Sequence, residues 1–86
     1  MRFPENLRKY RQARGLSQKT LAELINVSRE IISKYEIGER EPSLSRAVAL
    51  SRVLNINLAT LVGITNDEIL ILSTLDPNTR NNIMFI

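Results

Sequence analysis

Apolar side chains recur along this chain at three- and four-residue intervals. Leu7 with Tyr10, Leu21 with Leu24 and Ile25, Ile32 with Tyr35, and Leu44 with Ala47, Leu50 and Leu54 each mark one side of a helix. No segment alternates with period two, so the predicted fold class is all-α. Helix starts carry a repeated signature, a capping side chain with an apolar residue before it and another four residues on. Ser17 stands between Leu16 and Leu21, Ser28 between Val27 and Ile32, and Asn57 between Ile56 and Leu61. Thr65 stands between Ile64 and Ile69, with Glu68 completing a capping box. Ser43 follows Pro42 and caps another helix, and Pro4 suits the first turn of an opening one. The starts predict helices over 4–14, 17–25, 28–36, 43–54, 57–62, 66–74 and 77–86. Gly15, Gly38 and Gly63 fall where C-terminal caps or turns belong.

The second and third of these helices are separated only by Asn26 and Val27, which forces a steep crossing rather than an antiparallel hairpin. Such a turn needs a left-handed backbone residue, for which Asn is the best choice after glycine. It also needs a small side chain where the helices touch, which Ala22 supplies, and Val27 would plug the angle from inside.

Rotating the 28–36 helix by ~100° per residue from Arg29 places Ser33, Glu30 and Lys34 at about 40°, 100° and 140°. Ile31, Tyr35 and Ile32 fall at about 200°, 240° and 300°, and form the inward side. The strip opposite offers a guanidinium, an acid, a hydroxyl and an ammonium. In a DNA major groove, Arg or Lys donates to guanine, Glu accepts from cytosine N4, and Ser serves several bases. A solvated surface helix has the same appearance, so the strip alone leaves both readings open.

Composition narrows the classes. The chain has 86 residues, a hydrophobic fraction of 43%, and neither cysteine nor histidine. It is one small domain that folds rather than remaining disordered. Without Cys there is no disulfide framework or thiolate metal site, and without His the commonest general base is missing. No acid pair or phosphate-cradling glycine loop has a recognisable spacing, so an enzyme is not expected, nor a cofactor or metal. There is neither a membrane-length apolar run nor a secretory signal, and the expected setting is cytoplasmic. Residues 1–62 hold eleven Lys/Arg against six acids, whereas residues 63–86 hold Arg80 against Asp67, Glu68 and Asp76. That asymmetry suggests one surface for a polyanion and another for protein.

From Leu7 to Leu61 these motifs fall in a fixed order: R-x-x-x-G-L-S-Q at Arg11–Gln18, A-x-x-x-N-V-S at Ala22–Ser28, and Y-E-x-G at Tyr35–Gly38. P-S-L at Pro42–Leu44 and N-I-N-L-x-x-L at Asn55–Leu61 follow. In that order and spacing the stretch resembles the helix-turn-helix domain of phage repressors, Cro and the Xre-type regulators. The resemblance implies a five-helix, lambda-repressor-like domain over 1–63, and the helix starts beyond it predict a C-terminal helical extension over 64–86. It implies a transcriptional regulator, typically a dimeric repressor of phage, plasmid or mobile-element type, bound to an inverted repeat in double-stranded DNA. An antitoxin or controller protein that binds operator DNA and a protein partner is the alternative.

By position, the resemblance implies that Gln18 contacts a phosphate and a base near it, and that Ser28 caps the reading helix where phosphate can approach. Arg29, Glu30, Ser33 and Lys34 would read base edges, while Arg40 and Ser43 would hold the flanking backbone. Arg11 and Glu36 match a partly buried ion pair and are structural, and Tyr35 belongs to the core. Arg8, Lys9 and Arg14 read as solvated helix charges. Three departures stand out. Asn26 replaces the usual turn glycine, and Ile37 stands where the family often has Asn facing the DNA backbone. Glu39 and Glu41 put negative charge in a loop expected near phosphate, which predicts weaker non-specific binding.

Residues 64–86 lie outside the resemblance. Ile69, Leu70, Ile71 and Leu72 are consecutive, so a helix through them is apolar on nearly every side and needs cover. The expectation is a homodimer interface using Ile69, Ile71, Leu72, Leu75 and Ile83, with the domain's own core taking up the remaining sides.

Overall fold

Four of the five described helices begin where a side chain replaces a missing backbone acceptor, the first has Pro4 in its opening turn and no such cap, and all five end where the chain turns left-handed. The computed structural model describes residues 2–64. Among them are α1 (Phe3–Ala13), α2 (Gln18–Leu24), α3 (Arg29–Ile37), α4 (Leu44–Leu54) and α5 (Leu58–Val62), in the expected all-α order and with no strand. The helices expected over 66–74 and 77–86, and the cap at Thr65, lie outside the described residues.

The backbone N–H groups of Thr20, Ile31, Arg46 and Thr60 donate to the side chains of Ser17, Ser28, Ser43 and Asn57, at 3.0, 3.3, 3.3 and 2.7 Å. These are the four predicted caps that fall on described residues, each satisfying one orphan donor of its helix. At the other ends Gly15, Asn26, Gly38, Asn55 and Gly63 all have positive φ, from 55° to 79°. After each, the next N–H reaches back to the carbonyl five residues earlier, as from Leu16 to Arg11 at 3.1 Å and from Ile56 to Ser51 at 3.0 Å. Every described helix therefore ends on the same two-bond cap, which needs one left-handed residue. Asn26 is the turn residue expected to be left-handed, and Asn55 is the one that neither the turn nor the glycines pointed to.

The core lies where α1 packs against α3 and α5, with α2 against α3 and α4 against α5. Leu7, Leu21, Ile32, Leu50, Leu54 and Leu61 are fully buried there. Tyr35 meets Phe3 edge-on, with ring centroids 6.1 Å apart, and its hydroxyl accepts from Arg46 Nη1 at 3.4 Å. Tyr35 is thus a core residue, as expected.

Two apolar positions assigned inward by periodicity are not buried. Leu24 is 56% exposed: α2 is one short helix that fills its inner side with Leu21, Ala22 and Ile25, leaving Leu24 at the edge. Leu44 is 73% exposed, because it is the first residue of α4 and extends beyond the part of that helix that packs on the core. Leu44 lines an open groove of about 630 Å³ with Phe3, Leu58, Val62 and Ile64.

Two side chains close the domain from α1. Asn6 Nδ2 donates to the carbonyls of Thr60 and Leu61 at 3.2 and 3.3 Å, serving the last turn of α5. Arg14 Nε donates to the carbonyl of Leu54 at 3.0 Å, so it caps α4 rather than standing as a free solvated charge.

Candidate nucleic-acid interface

The α2–α3 turn is built as its residues demand. Asn26 has φ of 60°, its N–H bonds to Glu23 O at 3.3 Å, and Val27 N–H bonds to Ala22 O at 2.9 Å. Ala22 is buried at the helix contact, and Val27 is half-buried against the core. A larger residue at 22 or a β-branched one at 26 would open this angle. The turn fixes how far α3 projects from the body of the domain.

The faces of α3 separate as the rotation predicts. Ile32, Tyr35 and Glu36 are buried and Ile31 is half-buried against the core. Arg29, Glu30 and Lys34 are exposed, and Ser33 is half-buried at the margin of the strip. Ser28 is exposed, and its oxygen accepts from Ile31 N–H, so its own O–H remains free to donate outward.

Behind the strip runs a continuous line of polar contacts. Arg11 Nη1 donates to Leu16 O at 2.8 Å, while its Nε and Nη2 donate to Glu36 Oε2 and Oε1 at 2.6 and 3.1 Å. Glu36 Oε1 also accepts from Gln18 Nε2 at 3.2 Å, and Gln18 Oε1 accepts from Arg29 Nη1 at 3.2 Å. The side chains of Arg11 and Glu36 are 11% and 2% exposed, so the expected ion pair is present and largely desolvated. Gln18, expected to contact a phosphate and a base near it, is half-buried and bridges this pair to the first residue of the α3 strip. Its twofold bonding was invisible in the sequence, where α2 and α3 residues eleven apart carry no pairing signal.

Arg40 and Ser43 lie in the connection between α3 and α4, both exposed, with no hydrogen bond to the α3 strip among the described residues. Ser43 caps α4 and lies 3.2 Å from the Ser45 hydroxyl. Glu39 and Glu41 flank Arg40 and are exposed too, and Ile37 is 63% exposed at the end of α3. Ile69, Ile71, Leu72, Leu75 and Ile83 lie outside the described residues.

The α2–α3 pair thus presents an exposed donor-and-acceptor strip on a helix that follows a hydrogen-bonded turn. Comparison with known proteins identifies the family. The helix-turn-helix family model matches residues 7–61. An uncharacterised regulator of Bacillus subtilis, YqaE, described as an HTH-type transcriptional regulator, is 32% identical over 78% of this chain, and the match spans 59% of its own length. YonR of the same organism, described as an SPbeta prophage-derived HTH-type transcriptional regulator, is 37% identical over 79% of this chain and 68% of its own. The restriction-modification controller protein C.AhdI of Aeromonas hydrophila superposes with a TM-score of 0.66 at 38% identity. That superposition covers 70% of this chain and 91% of the controller.

Proposed function

The chain belongs to the Xre/Cro-type helix-turn-helix family of transcriptional regulators, and from that premise we propose that it represses transcription as a homodimer on an inverted repeat. It acts in the cytoplasm, without enzymatic activity, and is of phage, plasmid or mobile-element type. The observation that carries this reading is the exposed face of α3, on which Arg29, Glu30 and Lys34 stand just after the left-handed turn at Asn26. Arg29 and Lys34 would donate to guanine edges and Glu30 would accept from cytosine, with Ser33 at the margin. Ser28, Gln18, Arg40 and Ser43 would meet backbone phosphates. The likeness to a prophage-derived regulator supports the mobile-element origin.

Pairing would rest on residues 64–86 through Ile69, Ile71, Leu72, Leu75 and Ile83, and would place two α3 helices about 34 Å apart on successive major grooves. The sequencing of DNA fragments retained by the purified protein tests the whole reading. An inverted repeat is expected, with binding that falls with salt and is lost in Arg29→Ala/Lys34→Ala. Specific binding that survives both changes would remove α3 as the reader. Ile69→Asp or Ile71→Asp is expected to yield monomer by sedimentation and weaken operator binding. An unchanged mass would assign these residues to the domain's own core.

A second reading has one observation in its favour. The likeness to C.AhdI covers nearly all of that controller, which supports a role in timing a restriction-modification operon on the same DNA-reading surface. Retained fragments that map upstream of methylase and nuclease genes would select it.

A further inference from the structure

The line of contacts behind α3 has a direction. A carboxylate only accepts hydrogen bonds, a guanidinium only donates them, and an amide has one end of each kind. Gln18 stands between the Glu36 carboxylate and the Arg29 guanidinium, with its nitrogen toward the first and its oxygen toward the second. Turned over, it would set oxygen against carboxylate and NH₂ against guanidinium, two repulsive contacts in place of two attractive ones. Glu36 cannot move to accommodate that, because Arg11 holds both of its oxygens. The buried acid therefore decides which end of Gln18 reaches the surface.

We propose that Glu36 is a positioning residue for base choice, acting through the fixed amide of Gln18 to hold the Arg29 guanidinium in reading position before DNA arrives. This rests on the DNA-reading function proposed above. Glu36 itself is buried. Arg29 is exposed, and a long side chain on an exposed helix turn otherwise samples many rotamers. Tying one of its N–H groups to Gln18 restricts the guanidinium and leaves its other donors unused by that bond. The freedom lost in that tie is not lost again on binding, and pre-ordering matters most where a planar fork must meet two acceptors at once, as on guanine O6 and N7. A less constrained Arg29 still attracts phosphate but distinguishes guanine less well. Glu36 would thus influence which base is chosen more than how tightly DNA is held.

The test compares operators altered one base pair at a time against wild type, Arg29→Ala, Gln18→Met and their double variant. Gln18→Met removes both ends of the bridge and leaves Arg11 on Glu36. Discrimination at the base pair that Arg29→Ala makes indifferent is expected to fall about five- to tenfold in Gln18→Met. The same change in the Arg29→Ala background is expected to alter that base pair no further. A loss spread evenly over all operators, and persisting without Arg29, would make Gln18 a phosphate contact only and overturn the proposal. The free protein gives an independent readout. NMR order parameters of the Arg29 side chain are expected to drop in Gln18→Met, and unchanged values would overturn the linkage. An Arg29→Ala chain that keeps every base preference would instead overturn the reading assignment itself, and the linkage with it.

Discussion

Arg11 grips both oxygens of Glu36, Nε to Oε2 at 2.6 Å and Nη2 to Oε1 at 3.1 Å, across a gap of 25 residues. The contact joins α1 to the last turn of α3, so it holds the angle at which α3 leaves the domain. Removing one partner strands a buried charge, and Glu36→Gln or Arg11→Met is expected to cost about 3–5 kcal/mol in urea unfolding. Replacing both by apolar residues of similar volume is expected to cost far less, since no buried charge is then left alone. That double variant should fold yet select bases poorly, which separates the stabilising part of the pair from its effect on Gln18.

The turn makes a sharper demand on residue type. Asn26 is left-handed at φ 60°, a conformation that costs an ordinary L-residue about 1–2 kcal/mol. Asn26→Ala is expected to lower stability by about 1 kcal/mol, and Asn26→Val by more, because branching at Cβ worsens the same clash. Asn26→Gly should be close to neutral, its easier φ offset by greater freedom in the unfolded chain. Equal melting temperatures for the Ala and Gly variants would contradict the φ argument.

Much of this is legible in the sequence, and the reason is locality. Ser17, Ser28, Ser43 and Asn57 cap through bonds that span three residues, and Asn26 bends a turn between adjacent helices. Short-range chemistry of that kind is written directly into residue order. Helical rotation placed Arg29, Glu30 and Lys34 outward and Ile32 and Tyr35 inward for the same reason. The Arg11–Glu36 pair was legible only through family resemblance. What escaped was long-range or end-dependent. Asn6 on α5, Arg14 on Leu54 O and Gln18 between Glu36 and Arg29 join residues that no local pattern links. Leu24 and Leu44 were assigned inward because periodicity assumes that a helix is covered along its full length.

Gly63 and Gly15 both have positive φ, +78° and +69°, yet they tolerate change differently. A Cβ on Gly63 would lie 3.2 Å from Arg2 N and 3.3 Å from Asn6 Nδ2, whereas one on Gly15 would meet nothing within 4 Å. Gly15→Ala should therefore show only backbone strain, about 1 kcal/mol. Gly63→Ala adds a displacement of Asn6, whose amide serves two carbonyls of α5, and is expected to cost about 1 kcal/mol more. Parallel thermal melts check the difference, and identical losses would mean that α1 yields freely at this contact.

The acids beside Arg40 provide a test of where the 38–43 loop lies on DNA. Glu39, Arg40 and Glu41 are all exposed, so if this loop faces the duplex backbone, two of its three charges repel it. Removing them removes a term of about 1 kcal/mol per charge at water-like dielectric, diminished further by salt. Glu39→Gln/Glu41→Gln is expected to raise affinity several-fold on every DNA sequence alike at low salt, and to steepen the dependence of binding on salt. Arg40→Ala should act in the opposite sense, reducing the slope of log affinity against log salt by about one. Neither change should alter the ranking of operators, because a phosphate contact carries no base information. Titrations of operator and random duplexes across a salt series measure both quantities together. If the double Gln variant strengthened the operator alone, the loop would be reading bases. If neither variant changed the slope, the loop would lie away from the duplex, and Arg40 and Ser43 would leave the proposed interface.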